Sequence, residues 1–286
     1  MEYLRILKNK NKVTCTTSDY RSSTETAANF SIRFVFSGNE TCSIGRRQLS
    51  LHTDSFIILN KGTQFTSSSD LRLPLRVLSI EFDEDFLNEF SAKFFKGKKG
   101  GLFDAEHAAY QLRETIYPLK TDLKLNIGRL KSLIEDENTN DVLINELLER
   151  CLQNCCRIYN EEVSLKAKKL NFLNVNTRIE ILRRLNLAKE YLYANYDKNI
   201  SLESLANYAC LSVNHLLRTF KLAYNQSPHQ YLIQIRLQRA QLLLAKTEYP
   251  VYEIVNMVGF KCTSSFIRLF RNRYQTTPLK YRSIAA

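Results

Sequence analysis

The 286-residue chain is predicted to be an α+β protein. A small β-barrel or sandwich with helices comes first, and an all-α domain follows, made of two helix-turn-helix units joined by a long helix. Three observations predict this. A block near the C-terminus occurs twice. Around Phe30 apolar residues recur with a period of two. The basic excess is confined to the last part of the chain: from Asn176 onward 16 Lys and Arg face 6 Asp and Glu, net +10, against 25 and 23 in the remainder. The length accommodates two cores, one in each half.

Residues 1–28 are polar and read as a short strand or helix followed by loop. Phe30, Ile32, Phe34 and Phe36 then share one face of a strand, with Ser31 and Arg33 between them. Ser37-Gly38-Asn39 and Asn60-Lys61-Gly62 are turn signals. Further strands are expected at Thr41–Leu51, Ser55–Leu59 and Leu75–Phe82. Short, evenly spaced strands suggest a sandwich or barrel. Such a body can hold one small molecule, and Phe34, Phe36, Ile57 and Leu59 are the candidate lining. Plain core packing explains each of them equally well.

After Phe82 the period becomes helical, with Phe86, Phe90 and Phe94-Phe95 beside a basic loop, Lys96-Gly97-Lys98-Lys99. Two more helices are read at Ile127–Glu135 and Asp141–Tyr159. In the second, Ile144, Leu148, Cys151-Leu152, Cys155 and Ile158-Tyr159 form an apolar stripe that suits either the barrel or a second copy of the chain. Residues 166–177 are polar and read as a linker between a 1–165 domain and a 178–286 domain. Arg178 to about Tyr196 is helical again.

From Ser201 the repeat begins. Arg218, Phe220, Tyr224, Pro228 and Tyr231 recur as Arg268, Phe270, Tyr274, Pro278 and Tyr281 at an offset of 50. Leu205, Ala206 and Ala209 recur as Ile254, Val255 and Val258 at an offset of 49. Each unit reads as a short helix, a tight turn and a basic helix. Ser212 is placed to cap the first basic helix, whose Leu216, Phe220 and Leu222 face inward. Asn214, His215, Leu217, Arg218 and Lys221 face outward. In the second unit Thr263, Ser264, Ile267, Arg268 and Arg271 face outward. Arg218 and Arg268 suit base edges or phosphates, Asn214, His215, Thr263 and Ser264 suit base edges, and Lys221, Arg271 and Arg282 suit phosphates or salt bridges. Between the units, Pro228–Lys246 is one helix of 19 residues, about 28 Å long at about 1.5 Å per residue. That spans nearly one DNA turn of about 34 Å.

The stretch Arg178–Arg282 resembles the DNA-binding domain of the AraC/XylS regulators. The resemblance rests on Ile254, Val258-Gly259-Phe260, Ser265-Phe266, Arg268, Phe270-Arg271, Tyr274, Thr277-Pro278 and Tyr281-Arg282. SFIILNKG and LRVLSIEF resemble the cupin-like sensor that precedes this domain in the family. The resemblance implies a transcription regulator that binds double-stranded DNA, activates more often than it represses, forms a homodimer, answers to a small-molecule effector and contacts RNA polymerase. Where the family favours Gly, this chain has Cys210, Asn225 and Gln275. Cys262 is a poor N-cap, so Thr263 could take that role instead.

Seven cysteines without a CxxC pair, and no apolar leader or span, lead us to expect a cytoplasmic protein that does not cross a membrane. Cys151, Cys155 and Cys156 are expected to be buried structural thiols. Only four histidines occur, with no HxH. With His52 isolated, no catalytic group, metal site or cofactor is expected. Two alternatives remain: a regulator without an effector, whose barrel only dimerises or binds protein, and an enzyme whose basic domain targets it to DNA.

Overall fold

The computed structural model describes residues 2–18, 22–27, 29–69, 74–94, 112–136 and 140–285. The Lys96–Lys99 loop, Phe95 and His107 lie outside them. The chain divides into two compact units, Met1–Leu165 and Lys166–Ala286.

The N-terminal unit is built from β1 (Glu2–Ile6), β2 (Lys12–Ser18), β3 (Ser22–Thr26), β4 (Phe30–Ser37), β5 (Glu40–Ile44), β6 (Arg47–Leu51), β7 (Ser55–Leu59), β8 (Gln64–Ser69), β9 (Leu75–Phe82) and β10 (Ile116–Pro118). These form two sheets rather than a closed barrel. One runs β1-β2-β9-β4-β7-β10 and the other β3-β8-β5-β6, with antiparallel pairing in both. Strands β4, β7 and β9 fall where the periodicity put them. The expected Thr41–Leu51 strand is a hairpin, broken at Gly45, whose φ is 58°. Strands β2 and β3 fall within residues 1–28, which read as a short strand or helix followed by loop, and β8 falls where no element was expected. Their Thr and Ser residues nonetheless suit a pleated, half-buried surface.

Alternation gives the larger sheet two different faces. Phe30, Ile32, Phe34, Phe56, Ile58, Leu78, Ile80 and Phe82 join a core shared with helices α1 (Glu84–Phe94), α2 (Thr121–Glu135) and α3 (Asp141–Asn160). Ile144, Leu148, Cys151, Leu152, Cys155 and Ile158 of α3 lie in that core. The α3 stripe therefore packs within its own unit, which removes the stripe as a surface for a second copy. Burial pushes the Cys151 and Cys156 thiols up to about 12, and Cys155 well above its ordinary value.

The other face of the larger sheet meets the smaller sheet. Register places Arg33 opposite Ile57, and Ser31 opposite Leu59, on this side. Arg33 donates to Glu40 Oε1 at 2.6 Å and to Glu25 Oε2 at 3.0 Å, and it lies over the Phe65 ring. Ser67 Oγ donates to the same Glu40 oxygen at 2.6 Å. Burial by itself, the largest single effect, would make the guanidinium less basic, but the charges of Glu40, Cys42 and Glu25 and the hydrogen bond to Glu40 together outweigh it and hold the proton. An ion pair thus joins two sheets that are otherwise packed through Cys42, Leu49, Leu51, Ile57, Leu59 and Phe65.

This arrangement corrects the expected effector lining. Phe34 and Phe36 pack with the helices, whereas Ile57 and Leu59 point between the sheets. The four residues do not line one cavity. His52 is buried, with Nδ1 at 2.5 Å from Asn39 Oδ1.

The C-terminal unit is all helical. It comprises α4 (Lys166–Lys168), α5 (Val175–Ala194), α6 (Leu202–Tyr208), α7 (Val213–Tyr224), α8 (Pro228–Lys246), α9 (Val251–Met257), α10 (Thr263–Tyr274) and α11 (Pro278–Ala285). The expected linker is partly structured: α4 lies inside it, Leu170 is buried, and α5 starts three residues before Arg178. Asn174 sets that start by capping the Asn176 amide. Helix α5 packs on α6, α7 and α8. Helix α8 begins with a Ser227–Gln230 capping box and a first-turn proline. It buries side chains on more than one face, as a strut shared by two units must.

Candidate nucleic-acid interface

The two helix-turn-helix units are built alike, atom by atom at the turns. Helix α6 ends with Leu211 N–H donating to Ala206 O and Cys210 N–H to Asn207 O. Helix α9 ends with Phe260 N–H donating to Val255 O and Gly259 N–H to Asn256 O. Both are Schellman caps, which need a left-handed residue at the turn. Gly259 takes it at φ 82°, and Cys210 takes it at φ 54° despite its Cβ. Asn225 and Gln275 end α7 and α10 in the same left-handed region.

Behind each basic helix stands the same aromatic trio. Phe220 lies 4.5 Å from Tyr224 and 5.6 Å from Tyr231. Phe270 lies 4.6 Å from Tyr274 and 5.7 Å from Tyr281. The sequence repeat is therefore a packing repeat. It fixes how the helix following each unit, α8 or α11, meets the basic helix.

In front, the side chains divide by period. Helix α7 buries Leu216, Thr219, Phe220 and Ala223, and leaves Asn214, Arg218 and Lys221 exposed. His215, Leu217 and Leu222 are half-buried. Helix α10 buries Phe266 and Phe270, and exposes Thr263, Ser264, Ile267, Arg268 and Arg271. Among the described residues Arg218, Lys221, Arg268 and Arg271 have no ion-pair partner. Arg183 and Arg184 are engaged elsewhere. They hydrogen-bond the Glu180 carboxylate, which holds it down at about 2.

Three placements depart from expectation. Arg282 is half-buried and donates to the Tyr249 carbonyl, so it ties α11 to the loop before α9. Cys262, and not Thr263, occupies the N-cap of α10, where its weakly accepting sulfur makes no regular capping bond. Asn272 joins Ser264, Ile267, Arg268 and Arg271 around a shallow depression on α10, although the sequence reading passed over it. It lies four residues after Arg268, on the same helical face, and that spacing was its available signal.

Hydrogen bonds from the Ser264 hydroxyl first, then from the Ser265 groups and the Ser264 amide, draw the Cys262 thiol down to about 6. A lowered thiol is increasingly ionised as pH rises through that value. Cys262 should therefore alkylate with a rate that rises through about pH 6 and levels off above it. The buried Cys151, Cys155 and Cys156 should react only on unfolding. Mass-spectrometric mapping of iodoacetamide adducts against pH checks both. Cys262→Ser restores a capping hydroxyl and should stabilise the C-terminal unit by about 1 kcal/mol, read from thermal unfolding.

Comparison with known proteins bears on the same two regions. A family profile described as a helix-turn-helix domain matches residues 205–284, and one described as an AraC-like ligand binding domain matches residues 15–152. The chain carries an AraC-type helix-turn-helix domain and an AraC-like ligand-binding domain. It is a DNA-binding transcriptional regulator with an N-terminal ligand-binding domain. It is 24% identical over 262 residues to the Msm operon regulatory protein of Streptococcus mutans, covering 89% of this chain and 84% of that protein. It is 28% identical over 225 residues to the lactose operon transcription activator of Staphylococcus xylosus, 77% of each. Among solved structures, the DNA-binding domain of AdpA in complex with a target DNA is 27% identical, with a TM-score of 0.34, over 35% of this chain and 91% of that one. No described helix is long and apolar enough to cross a membrane.

Proposed function

We propose that this chain is an AraC-family operon activator that reads DNA with α7 and α10 in successive major grooves, on one face of the duplex. One observation carries the reading: two 12-residue helices with equivalent aromatic backing and equivalent C-caps each expose unpaired cations and short polar side chains. A 19-residue strut lies between them. Arg218 and Arg268 are the first candidates for base contacts, with Asn214, His215, Thr263, Ser264 and Asn272 beside them. Lys221 and Arg271 hold phosphates. The lactose operon relative supports activation, which would run through contact with RNA polymerase.

The N-terminal unit, joined through residues 166–177, controls this binding in the cytoplasm. The ligand-binding-domain match supports a small-molecule effector rather than catalysis. An effector between the sheets would meet Ile57 and Leu59. A groove bordered by Leu125, Leu133, Leu143 and Leu147, on α2 and α3, supports a homodimer there.

Fluorescence titration of the purified protein with DNA from upstream of its own gene tests the reading. Arg218→Ala and Arg268→Ala should each cost about 1–3 kcal/mol in affinity. The Arg268→Ala loss should be the smaller, because α10 lacks its cap. Wild-type affinity in both variants would overturn the assignment.

A further inference from the structure

The segment preceding α5 packs along α7, the basic helix of the first unit. Lys166 lies with Nζ 4.4 Å from the ring centre of Tyr224, in the last turn of α7. Phe172 meets the ring of His215, in the first turn, edge to face at 6.0 Å and 65°. Between these ends the segment is held by its own bonds. Lys169 N–H donates to Lys166 O, Leu170 N–H to Ala167 O, and Phe172 N–H to Leu170 O at 2.9 Å. Leu170 is buried, and Asn174 caps α5 immediately after. Phe172 is thus fixed from both sides before it meets His215.

The N-terminal residues of a recognition helix are the ones that reach base edges, and His215 lies in the first turn of α7. Its neighbour Asn214 is exposed, but His215 is half-buried. An imidazole free to swing could accept or donate at several base positions, whereas one held against a ring has fewer orientations. The second unit has Ser265 at the equivalent offset, whose short side chain needs no such support.

We propose that Phe172 is a positioning residue for base readout: it orients the His215 imidazole and so sharpens sequence discrimination in the first half-site. This rests on the reading that α7 enters the major groove. It also makes the connecting segment part of the reading surface, because any pull on Lys166–Phe172 moves the ring that aligns His215.

Selection of full-length protein on a randomised double-stranded DNA library tests this, with wild type, His215→Ala, Phe172→Ala, Phe172→Tyr and the double alanine variant compared at equal salt. His215→Ala should weaken base preference at one or two positions. Phe172→Ala should weaken preference at the same positions by about 3- to 10-fold, the size an edge-to-face aromatic contact supports. Phe172→Tyr should restore it, and the double variant should lose no more than His215→Ala alone. Melting temperatures of the variants should match the wild type within a few degrees. If His215→Ala alters preference and Phe172→Ala does not, the positioning role is wrong while the DNA reading stands. A uniform loss across all sequences in Phe172→Ala would also overturn it, as a structural effect. If His215→Ala changes nothing while Arg218→Ala does, His215 reads no base and the proposal fails with it. Loss of all preference in the wild type would sink the α7 reading itself.

Discussion

Arg33→Ala should destabilise the N-terminal unit by about 3–5 kcal/mol, the usual cost of leaving one buried charge without its partner. Glu40 is fully buried; its Oε1 accepts from Arg33 and Ser67, and the Cys42 thiol is its other hydrogen-bonding neighbour. Without the guanidinium, one hydroxyl and one weakly donating thiol must stabilise a whole carboxylate in an apolar interlayer. Glu25 is partly exposed and can turn to water, so it contributes little to the loss. The two sheets would also lose the contact that Arg33 makes over Phe65. A second variant separates charge from packing. Arg33→Met combined with Glu40→Leu removes both charges and keeps the volume, and it should recover most of the stability. Urea unfolding followed on the N-terminal unit measures both. A loss below about 1 kcal/mol for Arg33→Ala would mean that water reaches Glu40 and that the pair is a surface interaction.

Gly259→Ala should cost more than about 3 kcal/mol in the C-terminal unit and abolish binding through the second half-site. A left-handed backbone costs an L-residue about 1–2 kcal/mol, and that is the smaller part. A Cβ at Gly259 would lie 2.5 Å from the Asp197 carbonyl oxygen and 2.8 Å from its carbon. Both are backbone atoms and cannot rotate away. Nearby, Arg236 donates to the Tyr196 and Lys198 carbonyls at 2.7 and 2.8 Å and lies over the Phe260 ring. Moving the turn therefore breaks the joint between the second unit and the end of α5. The matching position in the first unit predicts the opposite sign. Cys210→Gly relieves the strained φ and should stabilise by about 1 kcal/mol. Thermal unfolding of the two variants side by side checks the contrast. Similar shifts in both would show that close approach at Gly259 does not control stability.

The C-terminal half was legible because its signals are local and repeated. The offset of 50 from Arg218 to Arg268 reappears as two matching aromatic trios and two equivalent turns. Helix starts were read well where a side chain caps, as at Ser212, and missed where Asn174 caps three residues earlier than expected. The N-terminal half was legible only in its apolar strands. Strands β2, β3 and β8 are carried by Thr and Ser, whose strand character depends on partners distant in sequence. The effector lining failed for a related reason. Hydrophobicity marked Phe34 and Ile57 alike, but only the β4–β7 register reveals that they face opposite sides. Arg33 stood out only as a polar residue between the apolar residues of one strand face, because nothing local announces a second sheet over it. The α3 stripe was correctly apolar, and what covers it is a tertiary fact. Phe172 carried no signal, since a ring in a polar linker gains meaning only when it meets His215.

The central claim is bipartite reading by α7 and α10. Hydroxyl-radical footprinting of the full-length protein on the DNA upstream of its own gene tests it most directly. The predicted result is two protected regions about one helical turn apart on one face of the duplex, weakening steeply with salt. Arg218→Ala should erase one region and Arg268→Ala the other. A single protected region at low salt, or two regions that both survive Arg268→Ala, would contradict it.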